Sequence, residues 1–94
     1  MKAGLLTLSF RLYAVDSLKA RRSIVKRILA EIQRMGPAFA VCEVPGDGDL
    51  LDLTVRIAHL STDVRFTDGN LRRVAERFEH KPDYEVIESA IEIL

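Results

Sequence analysis

Six basic side chains sit close together in this 94-residue chain: Lys19, Arg21, Arg22, Lys26, Arg27 and Arg34. Guanidinium and ammonium groups at that density suit phosphate contact, which gives affinity without reading base sequence. A helix start among them adds backbone N–H donors for the same anions. A solvated helix face is the plainer alternative. Arg21 stands apart, because at about 100° per residue it falls inside the apolar arc of its segment. From the first turn its stem would run along the end of a sheet and emerge near the strand tips. There it needs a carboxylate, such as Glu43 or Asp49, or a bound anion. An internal ion pair is the simpler expectation.

Other reactive residue types lack the company that chemistry requires. His59 and His80 lie 21 residues apart, with no Cys or second His at ligand spacing, so no metal site is expected. His59 shares the parity of a buried strand face and reads as a hydrogen-bonded boundary residue. Cys42 is the only cysteine, which excludes an internal disulfide and a CxxC pair. With no local His to activate it, it reads as a small core or edge residue. Asp47, Asp49 and Asp52 surround two glycines without the residue order of a calcium loop, and Gly46-Asp47-Gly48 is too short to cradle a phosphate. A solvated turn accounts for them. No nucleophile–base or acid–base set emerges, so an enzyme is not expected, nor is a cofactor.

The elements that must position the basic cluster follow from hydrophobic period. Over residues 4–13, Leu6, Leu8, Phe10 and Leu12 alternate with Thr7, Ser9 and Arg11, as in a strand with one buried face. Asp16 and Ser17 offer capping oxygens, and the period then becomes helical through Leu18, Ile24, Val25, Ile28, Leu29, Ile32 and Met35. Lys19, Arg22, Lys26, Arg27 and Arg34 line the far side. Gly36-Pro37 ends this helix, with Gly available for a left-handed cap. Residues 38–44 predict a short strand, and Pro45 to Asp49 a turn. A third strand follows, with Leu51, Leu53, Val55 and Ile57 alternating against Asp52, Thr54 and Arg56. Ser61-Thr62-Asp63 opens a second helix whose apolar positions are Phe66, Leu71, Val74, Ala75 and Phe78. Gly69 costs that helix about 1 kcal/mol against Ala, which leaves Asp68 as an alternative start. His80 to Asp83 closes it. In the last strand, residues 84–94, parity changes from Tyr84 and Val86 to Ile91 and Ile93, predicting a bulge near Glu88-Ser89.

The order β-α-β-β-α-β is the split βαβ, or ferredoxin-like, arrangement. It implies an α+β fold: a four-stranded antiparallel sheet, first strand central, with two helices on one face. The length suits one domain over residues 1–94. The other sheet face carries Thr7, Ser9, Arg11, Thr54 and Arg56. Without aromatics there it does not stack bases as an RNA-recognition motif does, which leaves Arg11 and Arg56 as candidate anion contacts. Short edge strands two and four would pair across a twofold, so a homodimer is expected.

Net charge is formally zero, yet residues 1–34 hold eight of the fourteen basic groups and two of the fourteen acids. Such asymmetry favours an anionic partner, self-association or salt bridges between elements. No apolar stretch approaches the roughly 18 residues of a membrane span. The N-terminus begins a strand, with no leader pattern. A cytoplasmic setting without membrane partners is expected.

The segment SLKARRSIVKRIL at residues 17–29 resembles the S-L-K-x-K-R-x-(V/I)-V-K stretch of the YlxP-like family, small bacterial domains of unassigned function. AVCEV, the strand ending LTVRIAHLSTD, the spacing from Asp63 to Pro82 and the ending PDYEVIESAIEIL extend the likeness over nearly the whole chain. Where that family tends to carry Trp-Gln after the loop, this chain has Leu51-Asp52, so whatever the Trp adds to a partner surface is not supplied by these residues. The resemblance implies a ferredoxin-like fold, a bacterial cytoplasmic setting and a loose link to translation, because such genes often neighbour those for an initiation factor and a ribosome-binding factor. It implies no mechanism.

Two functional expectations result. One is a non-enzymatic module, self-associating, that contacts RNA or a ribosome-associated protein through Lys19, Arg21, Arg22, Lys26 and Arg27. The other is a sensor of small molecules or anions, binding at the open sheet face through Arg11 and Arg56 or at a dimer interface.

Overall fold

The computed structural model describes residues 2–46 and 48–94, and Asp47 of the acidic turn lies outside the described residues. Six elements follow in the expected order: β1 (Lys2–Leu12), α1 (Leu18–Gln33), β2 (Phe39–Val44), β3 (Asp52–Ser61), α2 (Val64–Arg77) and β4 (Tyr84–Ile93). All strand pairs are antiparallel in the order β2-β3-β1-β4. The fold is ferredoxin-like, with β1 inside the sheet. Register explains how alternation becomes a core. Leu6, Leu8 and Phe10 sit opposite Ile57, Val55 and Leu53, so the inward sets of two strands coincide. Val25, Ile28 and Ile32 from α1 join Leu71, Val74 and Phe78 from α2 in that same core. Both helices therefore cover one sheet face. Phe10 holds the centre, with Phe78 and Tyr84 edge-on to it at 5.8 and 5.3 Å between centroids.

Capping chemistry sets the helix starts. The Ser17 side chain accepts a hydrogen bond from the Ala20 N–H at 3.1 Å, and Asp63 accepts from Arg65 N–H at 2.9 Å. The second helix thus begins at Val64 and not at Asp68. At the end of α1, Gly36 has φ +148°. It turns the chain toward Pro37 but does not form the left-handed cap expected of it. His80 takes the left-handed conformation, φ +63°, after α2. In β4 the register slips between the partners of Ser9 and Phe10, which are Glu88 and Val86. Ile87 is therefore the extra residue, next to the position expected for the bulge. β4 is ten residues long, so only β2 is the short edge strand anticipated. Cys42 lies exposed on that edge strand and contributes nothing to the core.

One correction concerns how α2 sits on the sheet. Phe66 was expected inside, yet it is 59% exposed while Thr67 is fully buried. Leu18, at the first position of α1, is likewise exposed. Gly4 supplies the reason for the α2 shift. A Cβ there would lie 2.6 Å from Thr67 Cγ2 and 2.7 Å from Leu71 Cδ1, so the first turn of α2 rests on the backbone of β1. A phenyl ring does not fit that gap, and a threonine does. Phe66 is displaced sideways, 5.9 Å from the His59 ring, whose other neighbour Phe39 lies at 4.8 Å.

Burying Thr67 requires partners for its hydroxyl, and a chain of hydrogen bonds provides them. Ser61 Oγ donates to the Asp63 carbonyl at 2.8 Å, so it accepts from Thr67 Oγ1 at 2.7 Å. Thr67 has then used its one proton and must accept from His59 Nδ1, 3.1 Å away. This proton count places a proton on His59 Nδ1. The ring is 98% buried, with 2% exposed, and burial lowers its pKa below the usual histidine value.

Gly4→Ala should lower unfolding free energy by about 1–3 kcal/mol in urea titrations. Thr67 is held by its hydrogen bonds and cannot swing its methyl aside. Adding Thr67→Ser, which deletes that methyl and keeps the hydroxyl, should recover part of the loss. Wild-type stability in Gly4→Ala would contradict the close approach. His59 gives a pH dependence of definite sign. Its folded pKa is depressed, so its contribution is complete above the unfolded value of about 6.5 and declines as pH falls toward the folded value. Stability should drop between pH 7.5 and 5.5, by no more than about 1.4 kcal/mol per pH unit from this group. His59→Gln should flatten that segment of the profile, and an unchanged slope would contradict the assignment.

Candidate anion-binding surface on α1

Because Val25, Ile28 and Ile32 must face the sheet, helical geometry turns Lys19, Arg22, Lys26, Arg27 and Arg34 to solvent, and all five are exposed. Lys19, Arg22 and Lys26 stand at i, i+3 and i+7, a stripe about 10 Å long at 1.5 Å rise per residue. Glu31 is the only acid within α1. It accepts from Arg77 Nε of α2 at 2.8 Å and lies 3.9 Å from Lys81 Nζ. Among the described residues, no carboxylate comes within ion-pair distance of Lys19, Arg22, Lys26 or Arg34.

Arg27 and Arg21 differ from that stripe. Arg27 Nη2 donates to Asp83 Oδ2 at 3.2 Å, in the turn before β4. Arg21 has only 16% of its side chain exposed, and its Nη2 donates to Glu43 Oε2 at 2.8 Å. Its Nη1 reaches the Leu50 carbonyl at 3.4 Å. The expected ion pair of Arg21 is thus made with Glu43, and the guanidinium ties α1 to β2 and to the loop before β3.

The open sheet face keeps its two arginines apart. Arg11 Nη1 donates to Asp52 Oδ1 at 2.6 Å and lies 3.5 Å from Asp49 Oδ2. The Asp52 hydrogen bond raises the pKa of Arg11. Asp49 also accepts from the Leu51 N–H at 2.9 Å, and that bond above all lowers its pKa. Arg56 lies between Cys42 and Thr7 across the rung, four residues along β3 from Asp52, or about 13 Å. Ser9 and Thr54 fill the rung between them, hydrogen-bonded at 3.2 Å.

Beside the α1 stripe runs a groove of about 480 Å³, bounded by the helix and by residues 81–84. Sequence reasoning did not find Lys81 or Tyr84 as neighbours of the basic helix, since about fifty residues of chain separate them. The available signal was Tyr84 itself, an aromatic of inward parity whose hydroxyl must emerge somewhere at the start of a strand. Among the described residues, no group of three or more His, Cys, Asp or Glu is arranged to hold a metal ion. Among the described residues, no helix is long and apolar enough to cross a membrane.

Residues 3–91 match the family model described as "Protein of unknown function (DUF503)". The chain belongs to the DUF503 family. That is the family of the YlxP-like domains, so the resemblance seen in SLKARRSIVKRIL holds. No curated protein matches this DUF503 chain. Among solved structures, the de novo designed protein Foldit4 is 19% identical, with TM-score 0.58 and coverage of 98% of this chain and 96% of the other. A structural-genomics protein, YJCS, is 10% identical, with TM-score 0.57 and 96% coverage of each chain. A variant of SnoaB, a cofactor-independent oxygenase from Streptomyces nogalater, is 11% identical, with TM-score 0.51 and coverage of 99% and 90%. A designed protein and an oxygenase sharing this backbone show the fold alone.

Proposed function

We propose that this DUF503 domain is a non-enzymatic binding module that contacts RNA, alone or within a ribosome-associated particle, through the outer face of α1. The supporting observation is the stripe Lys19, Arg22 and Lys26, exposed and without a carboxylate neighbour among the described residues. Three uncompensated cations in a row favour a polyanion over a protein rim, where opposite charges usually intersperse. Arg27 and Arg21 belong to the proposal less directly, since Asp83 and Glu43 already hold them. For an anion sensor on the sheet face, Arg11 is engaged by two carboxylates, which leaves that reading less support. Self-association through a sheet edge fits β2 better than β4, because a β4 pair would bring together Glu85, Glu88 and Glu92 of two copies.

Fluorescence anisotropy with a short single-stranded RNA tests the proposal. Binding should weaken with salt, with a log–log slope of about −2 for three phosphate contacts. Lys19→Ala/Arg22→Ala/Lys26→Ala should abolish it while circular dichroism and the unfolding midpoint stay at wild-type values. Unchanged affinity in that folded triple variant would refute the role given to α1.

A further inference from the structure

Tyr84 is 93% buried, with 7% exposed, and its ring belongs to the core through Phe10 and Phe78. Its hydroxyl makes no hydrogen bond with the described residues, yet no described side-chain polar atom is both sealed from solvent and unpartnered. The phenol oxygen therefore opens on solvent. The charged groups that it senses are Glu31, Arg27 and Asp83, all of which line the groove beside α1. Tyr84 itself lines that groove. Burial pushes its pKa up to about 12, so at neutral pH it is a proton donor without an acceptor.

The walls supply the complement to an anion. Lys26, Arg27 and Arg34 line one side and Lys81 the other, against the carboxylates Glu31 and Asp83. Asp83 is held by Arg27, and Glu31 by Arg77 from outside the groove. Lys26 and Arg34 have no carboxylate partner among the described residues, and Lys81 reaches Glu31 only at 3.9 Å. Ile24 and Pro82 make the accessible apolar part of the lining. A space of about 480 Å³ is in the size range of small-ligand sites.

We infer that this groove binds a nucleoside 5′-phosphomonoester, with the phosphate between Arg34, Lys81 and Lys26, the Tyr84 hydroxyl donating to it, and the nucleoside against Ile24 and Pro82. The phosphate belongs either to a free mononucleotide or to the 5′-phosphorylated end of an RNA whose backbone continues along the α1 stripe. The site goes beyond the outer-face proposal and shares Lys26 with it, and the two are separated by Arg34, Lys81 and Tyr84, which take no part in that stripe.

Titration calorimetry with AMP and with adenosine tests the site, on the wild type, Tyr84→Phe and Arg34→Ala/Lys81→Ala. AMP should bind saturably and adenosine should not. Each variant should weaken AMP by about tenfold or more, as expected for a lost bond to a charged group. Tyr84→Phe keeps the ring packing, so its unfolding midpoint should match the wild type. Matched RNA oligomers with and without a 5′-phosphate separate the two sources. A tighter 5′-phosphorylated oligomer assigns the site to RNA ends, and AMP binding with no advantage for that oligomer assigns it to free nucleotide. Wild-type AMP affinity in Tyr84→Phe, equal binding of adenosine, or no binding of AMP together with no 5′-phosphate advantage would each overturn the inference. In that last case RNA binding lost only in Lys19→Ala/Arg22→Ala/Lys26→Ala would leave the outer-face proposal standing.

Discussion

Everything distinctive about this surface depends on how α1 is docked. Val25, Ile28 and Ile32 go under the helix into the core, and a helix with one apolar stripe has no freedom left about its axis. Its basic residues must face outward. The one acid of the helix, Glu31, is drawn the other way, to Arg77 of α2. Among the described residues, no carboxylate then comes within ion-pair distance of Lys19, Arg22 or Lys26. The charge asymmetry of a formally neutral chain becomes a local field because the fold separates the two signs.

The same docking divides the basic residues by role. Arg21 occupies the boundary between apolar and basic sides, and its length carries the guanidinium to Glu43. Arg27 reaches the turn before β4, where Asp83 meets it. Those two pin α1 to both ends of the sheet edge region. The others are left to solvent or to a partner. The Arg21–Glu43 pair is partly buried and the Arg27–Asp83 pair is exposed, so each contributes only modestly to stability, and the apolar docking of α1 sets what its outer face and the adjoining groove present.

Most of the architecture was legible in residue pattern, since parity in β1 and β3 and the 3.6 period of α1 follow from the need to bury one face. The caps at Ser17 and Asp63 were legible for the same reason, as local chemistry with local partners. Phe66 was misread because hydrophobicity alone cannot report that Gly4 lets α2 touch the sheet backbone, where only Thr67 fits. Gly36 was misread because a turn into Pro37 and a left-handed cap use the same residue type. The basic stripe was visible in sequence, and so was the need of Arg21 for a carboxylate, but the choice of Glu43 required coordinates. The groove was invisible, because Arg34, Lys81 and Tyr84 become neighbours only through the crossover that returns β4 beside β1.

We propose that this DUF503 domain meets its partner on the exposed side of α1 and not on the open sheet face. Amide chemical-shift mapping with ¹⁵N-labelled protein and a short RNA at low salt addresses it residue by residue. Shifts should concentrate in residues 17–34 and 81–84, with Thr7, Ser9, Thr54 and Arg56 unmoved. Shifts centred on those four sheet residues, with α1 silent, would contradict it.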